Sequence, residues 1–119
     1  MITGMKMGAA NIIGCIIDGK INKEDILEIS CLVEDKLKRC NKLRVYVEVI
    51  NVEGISFEAL MTDLKLAFKH YRKFERKAIV TDKEWIHYVS PVANRLFPGI
   101  EVKCFSFEER DKAYEWIMS

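Results

Sequence analysis

The run from Asn11 to Asp18, Asn-Ile-Ile-Gly-Cys-Ile-Ile-Asp, constrains the fold more than any other feature of the chain. A strand with one wet face alternates apolar and polar residues. This one is apolar on both faces and needs cover on both, as strands have in sheets that lie between helices. Gly19 and Lys20 are expected to turn the chain after it, and Met5 to Ala9 to pair beside it as a short edge strand.

The rest of the sequence supplies the cover. Asn22 is placed to cap a helix whose first turn holds Glu24 and Asp25 and whose last turns hold Lys36, Lys38 and Arg39, the charge order a helix dipole favours. Ile26, Ile29, Val33 and Leu37 form its apolar stripe. Leu43 to Ile50 reads as a second core strand, and Gly54 as a turn residue ahead of a helix capped by Ser56. Lys77 to Val80 is a short strand. Thr81 with Glu84 forms a capping box for a helix that Pro91 must kink or divide. Glu101 to Phe105 is a further strand, and Ser106 with Glu109 caps the last helix, which carries Ala113, Trp116 and Ile117. The order β-β-α-β-α-β-α-β-α predicts an α/β fold, a largely parallel mixed sheet of about five strands flanked by about four helices. The 119 residues, half of them apolar and 31% charged, fit one globular domain spanning residues 1–119.

This order of elements is similar to the STAS domain, and the chain more closely resembles the small stand-alone SpoIIAA-like proteins. The resemblance rests on Asn11 to Gly14, Gly19-Lys20-Ile21 with Glu24-Asp25, Leu43 to Glu48, Phe57-Glu58-Ala59-Leu60 with Asp63 and Lys65, Arg76 to Val80, Asp82 to Trp85, and Ala113 to Ile117. Each piece alone is structural; their order and spacing carry the likeness. The resemblance implies the binding or carrying of apolar molecules, with a ligand region formed by the middle helix and its entering loop, here Gly54 to Tyr71, and by Trp85 to Phe97. The antagonists of that superfamily carry an Asp-Ser-Ser-Gly-like loop with a phosphorylatable Ser. This chain has Gly54-Ile55-Ser56-Phe57-Glu58 instead. Glu58 opposes a phosphate at Ser56 and no Arg cluster stands by to receive one, so Ser56 is expected to be a helix cap, not a phosphorylation site.

Several chemistries find no support. Nineteen Lys and Arg against eighteen Asp and Glu leave a formal charge of +1, without the basic excess that nucleic acid selects. The densest basic stretch, Lys69 to Lys73 with Arg76 and Lys77, reads as a charged helix end. No nucleotide-binding glycine loop occurs, so no cofactor is expected. Cys15, Cys31, Cys40 and Cys104 lack the spacing of a metal or redox pair, so four free thiols and no metal are expected. Cys15 and Cys104 both fall on strands and are open to approach across the sheet. His70 and His87 have no partner in sequence that defines a triad, and no catalytic residue is assigned. With no export signal and no membrane span, the chain is expected to be cytoplasmic, with no integral membrane association.

The functional expectation rests on an apolar site. Phe57, Leu60, Met61, Leu64 and Phe68 share one helical face, and Trp85, Tyr88, Val89 and Phe97 are placed to meet it. Such a stripe is equally consistent with a filled core. Read as a pocket, it predicts non-catalytic binding of a small apolar or amphipathic molecule, with Lys65, His70 or Arg72 orienting an acidic head group. The first alternative is a protein-interaction module, a homodimer or an adaptor, acting through an exposed apolar patch; the last is a hydrolase or transferase using His70 or His87.

Overall fold

The computed structural model describes residues 2–55, 71–82 and 99–119, with side chains omitted at 52–55 and 71. Five strands form one sheet in chain order: β1 (Ile2–Met5), β2 (Ile12–Ile21), β3 (Leu43–Ile55), β4 (Phe74–Val80) and β5 (Glu101–Phe105). β1 runs antiparallel to β2, and the three remaining pairings are parallel. The expected largely parallel mixed sheet is therefore present. Among the described residues there are two α-helices, α1 (Lys23–Leu37) and α2 (Arg110–Met118). The helices expected after Ser56 and after Thr81 lie outside the described residues.

Side-chain alternation along the strands sorts the core into two layers. Ile13, Val33 and Leu43 pack together on the α1 side, and Cys15, Val47, Val49, Ile79 and Val102 continue that face. Ile12, Tyr46, Ala78 and Val80 face the other way, against Ala113 and Ile117 of α2. This two-sided burial is what the apolar run in β2 demands.

α1 begins as its sequence dictates. The Asn22 side chain accepts from the Asp25 amide at 2.9 Å, and the Asp25 carboxylate accepts from the Asn22 amide at 3.1 Å. Ser106 and Glu109 make the second capping box, but the turn it opens, Phe107–Glu109, is a 3-10 turn that leads into α2.

Three sequence expectations need correction. The edge strand is Ile2–Met5, and Met5 to Ala9 instead ends the strand and leaves the sheet. Gly19 and Lys20 do not turn the chain; β2 runs through them to Ile21, with Gly19 at φ +91. Gly54 is likewise inside β3, opposite Lys20. Both glycines sit where the β2–β3 register shifts, so that Ile50 and Glu53 of β3 have no residue opposite them. A bulge and a turn ask the same residue type for the same backbone freedom. The extra residue at the first bulge explains Ile50, a large apolar side chain left 47% exposed.

All four cysteines are free. Cys15 and Cys104 occupy one register row, Cys15–Val47–Ile79–Cys104, and are thus three strand spacings apart. That is about 14 Å, twice the reach of a disulfide. Their approach across the sheet is excluded.

Candidate functional site

Most of the expected ligand region, Phe57, Leu60, Met61, Leu64, Phe68, Trp85, Tyr88, Val89 and Phe97, lies outside the described residues, as do Ser56, Lys65, His70 and His87. Arg72 is described. It is exposed, in the 3-10 turn Tyr71–Lys73, and its carbonyl accepts from Lys42 Nζ. That loop contact ties Arg72 to the N-terminal end of β3.

A different site is open to description, and its origin is in the β1–β2 connection. The antiparallel ladder stops at the pair Met5–Gly14. The next residues leave the sheet and return by a turn in which the Ile12 amide donates to the Ala9 carbonyl at 3.4 Å. Ile12 and Ile13 pair with Arg44 and Val45 on one side, while β1 has no residue opposite them on the other. The gap is a groove of about 280 Å³. It is lined by Ile12 and Ile13 of β2, by Met5 and Met7 at and after the end of β1, and by Leu32 of α1.

Gly14 explains why Met7 can lie there. A Cβ at position 14 would stand 2.5 Å from Met7 Sδ and 2.8 Å from its Cγ. A side chain at position 14 would make Met7 shift, and glycine lets the methionine lie against the strand as it does here. Methionine suits such a wall, since its unbranched chain adapts to irregular volumes.

Among the described residues the lining includes two cations, Lys6 and Lys36, and no carboxylate. Lys36 Nζ donates to the Ala10 carbonyl at 3.0 Å, linking the connection to the last turn of α1. An ammonium group has three donors, so two remain beyond that bond. Lys6 is exposed, and among the described residues neither lysine forms an ion pair.

The other polar cluster joins the sheet to α2. Glu48 is only 7% exposed; its Oε2 accepts from the Tyr46 hydroxyl at 3.0 Å, and its Oε1 meets Arg110 Nε at 3.3 Å. Burial first, and then the bond to Glu48, push the Tyr46 hydroxyl well above the usual phenol range. Both oxygens of the carboxylate have a partner, and the cluster reads as a tie between β3 and the start of α2. Among the described residues, no group of three or more His, Cys, Asp or Glu side chains is arranged to hold a metal ion.

Sequence reasoning passed over the groove. Gly14 within an apolar strand was the available signal, because an interior glycine marks a close approach. The pairing of Lys6 with Lys36 had no such signal, since 30 residues and a crossover separate them.

A mixed sheet with a leading antiparallel strand, and helices packed on both its faces, defines a protein of the α/β class. The family model for SpoIIAA-like proteins matches residues 12–118, and the chain belongs to that family. A crystal structure of an uncharacterised DUF3478-family protein with a SpoIIAA-like fold, from Shewanella loihica PV-4, is similar at 26% identity with a TM-score of 0.75. The alignment covers 98% of this chain and 92% of that one. No curated protein matches the sequence.

Proposed function

We propose that this protein binds a small apolar or amphipathic molecule in the groove beside β2 and releases it unchanged. The observation that carries the reading is the groove itself, lined by Met5, Met7, Leu32 and the isoleucines of β2. Its volume, about 280 Å³, is at the lower limit of ordinary ligand pockets, which begin near 300 Å³. The occupant is thus smaller than a typical drug or a long-chain lipid. Affinity comes from removing its surface from water, at about 25 cal/mol per Å² before the costs of ordering. Four free thiols suit the cytoplasm as the place where this happens.

Association through an apolar patch has less support. Among the described residues, the large apolar side chains left exposed, Leu27, Ile50, Tyr114 and Met118, are spread over α1, β3 and α2. Scattered groups of this kind are ordinary on a protein surface. The charged residues Glu101 and Lys103 on the edge strand β5 discourage edge-to-edge pairing.

The reading is tested with lipid-stripped full-length protein and N-phenyl-1-naphthylamine, a dye that brightens in apolar surroundings. Saturable brightening is expected. Leu32→Trp, which narrows the groove, should weaken it about tenfold, and Met7→Ala, which widens the groove, should admit bulkier dyes. Circular dichroism confirms that each variant is folded. If no apolar probe binds saturably, or if both variants bind as the parent does, the groove is not the site.

A further inference from the structure

We infer that the groove selects an anionic amphiphile, a short-chain carboxylate whose charged end lies against Lys6 and Lys36 and whose tail covers Ile12, Met7 and Leu32. This inference rests on the groove being a ligand site and adds the charge of its ligand. Three observations favour an anion over a neutral or cationic molecule. Among the described residues, both charged groups of the lining are lysines. No acidic residue among them offsets the charge. Neither lysine is ion-paired among the described residues.

The two lysines are not equivalent, and the difference is useful. Lys36 has a structural task, since it stands in the last turn of α1 and its ammonium holds the Ala10 carbonyl at 3.0 Å. That bond fixes one positive charge at the groove and leaves two donors for a ligand. Lys6 has no such task. It lies outside helix and strand, is exposed, and makes no hydrogen bond or ion pair with a described residue. A lysine on a mobile stem beside a fixed one lets the first close over a carboxylate that the second has already placed. The apolar wall then limits the tail to a length well short of a membrane lipid's, because the groove holds about 280 Å³.

The experiment compares octanoate with octan-1-ol, which has the same tail and no charge, and with octylammonium. Each is titrated into the full chain, and amide shifts of residues 5–14 and 32–36 are followed by nuclear magnetic resonance. Two exposed ion pairs give octanoate a preference of roughly two- to thirtyfold over octan-1-ol at low salt, and the gap should narrow in 0.5 M sodium chloride. Lys6→Met should bring the ratio toward one by weakening octanoate; Lys6→Glu should lower octanoate binding below that of the alcohol. Equal binding of octanoate and octan-1-ol by the parent, or tighter binding of octylammonium, overturns the charge inference while the groove remains a ligand site. If none of the three probes shifts these amides, the groove reading falls and the inference with it. A second copy of the chain seated in the groove would exclude every probe and double the mass in solution, which overturns both.

Discussion

Cys15 stands in the middle of β2 with its thiol in the layer shared with Val47 and Ile79, and is 6% exposed. Burial pushes its pKa from 9.0 up to about 11, against a smaller opposing pull from Lys77. Two outcomes follow from a thiol kept neutral. Alkylation of the native protein near neutral pH should label exposed Cys31 first and Cys15 last, because the thiolate is the nucleophile. Stability should also fall as pH rises from about 9 to about 11, since in that window the unfolded chain loses a proton that the folded chain retains. The shift corresponds to about 2–3 kcal/mol once the pH exceeds the folded value. Tyr46 acts in the same direction at still higher pH, so Cys15→Val should remove one part of the alkaline loss and leave the other. Denaturant unfolding of both proteins near pH 8 and pH 11 measures the difference. An equal loss in the variant would mean that the Cys15 thiol is not what titrates. At this scale the sequence was readable where a residue's task is local, as at Asn22, whose cap follows from the four residues around it. Gly19 and Gly54 were not, because the register of a neighbouring strand decides between a bulge and a turn.

Helix α2 has nine residues, too few to persist unaided in water. Ala113 and Ile117 are fully buried on the sheet, which supplies one part of its support. Its ends are held by charged side chains from the strands. Arg44 Nη1 donates to the Ile117 carbonyl at 2.9 Å, and Arg76 Nη1 donates to the Trp116 carbonyl at 2.9 Å and to Ser119 Oγ at 2.8 Å. These carbonyls belong to the last turn, which has no partners within the helix. Arg110 meets Glu48 at the other end. Arg76 and Lys103 also lie over the Trp116 ring, each 5.1 Å from its centre. Arg76→Ala should therefore cost about 1–3 kcal/mol, the range for a lost hydrogen bond to a charged group. It should also change Trp116 emission in the folded state, and Arg76→Lys should restore only part of the stability, because an ammonium lacks the planar fork. Unfolding followed by fluorescence reads both quantities, and unchanged stability in Arg76→Ala would show that packing alone holds the helix. The capping box at Ser106 announced this helix in the sequence. The arginines that close it did not, because Arg44 and Arg76 look like ordinary charges on two strands until α2 folds back over them.

In the whole molecule each strand pairs with its neighbours in sequence, so β3 is the central strand and β1 and β5 are the edges among the described residues. A largely parallel mixed sheet was readable from the apolar strands and the helices between them, but the pairing of the first strand was not. The groove was not, since it exists only where β1 stops short of the start of β2. Stability should be distributed accordingly. β3 has partners on both sides through Arg44 to Glu48, and Tyr46, Val47 and Val49 are buried. β1 has four residues, one partner strand, and Thr3 and Gly4 exposed. Amide hydrogen exchange should then be slowest in β3, where only global unfolding exposes the backbone, and fast in β1, which can part from β2 locally. Parting of β1 would also move Met5 and the groove wall that follows it, and under the proposed function that opening is the route by which the ligand enters. A bound octanoate should slow exchange at Gly4, Met5 and Met7 and leave the β3 amides unchanged, because a ligand that binds only the closed form stabilises it by mass action. If β1 proved as well protected as β3 without ligand, the edge would be part of the cooperative core, and entry to the groove would have to come from the α1 side.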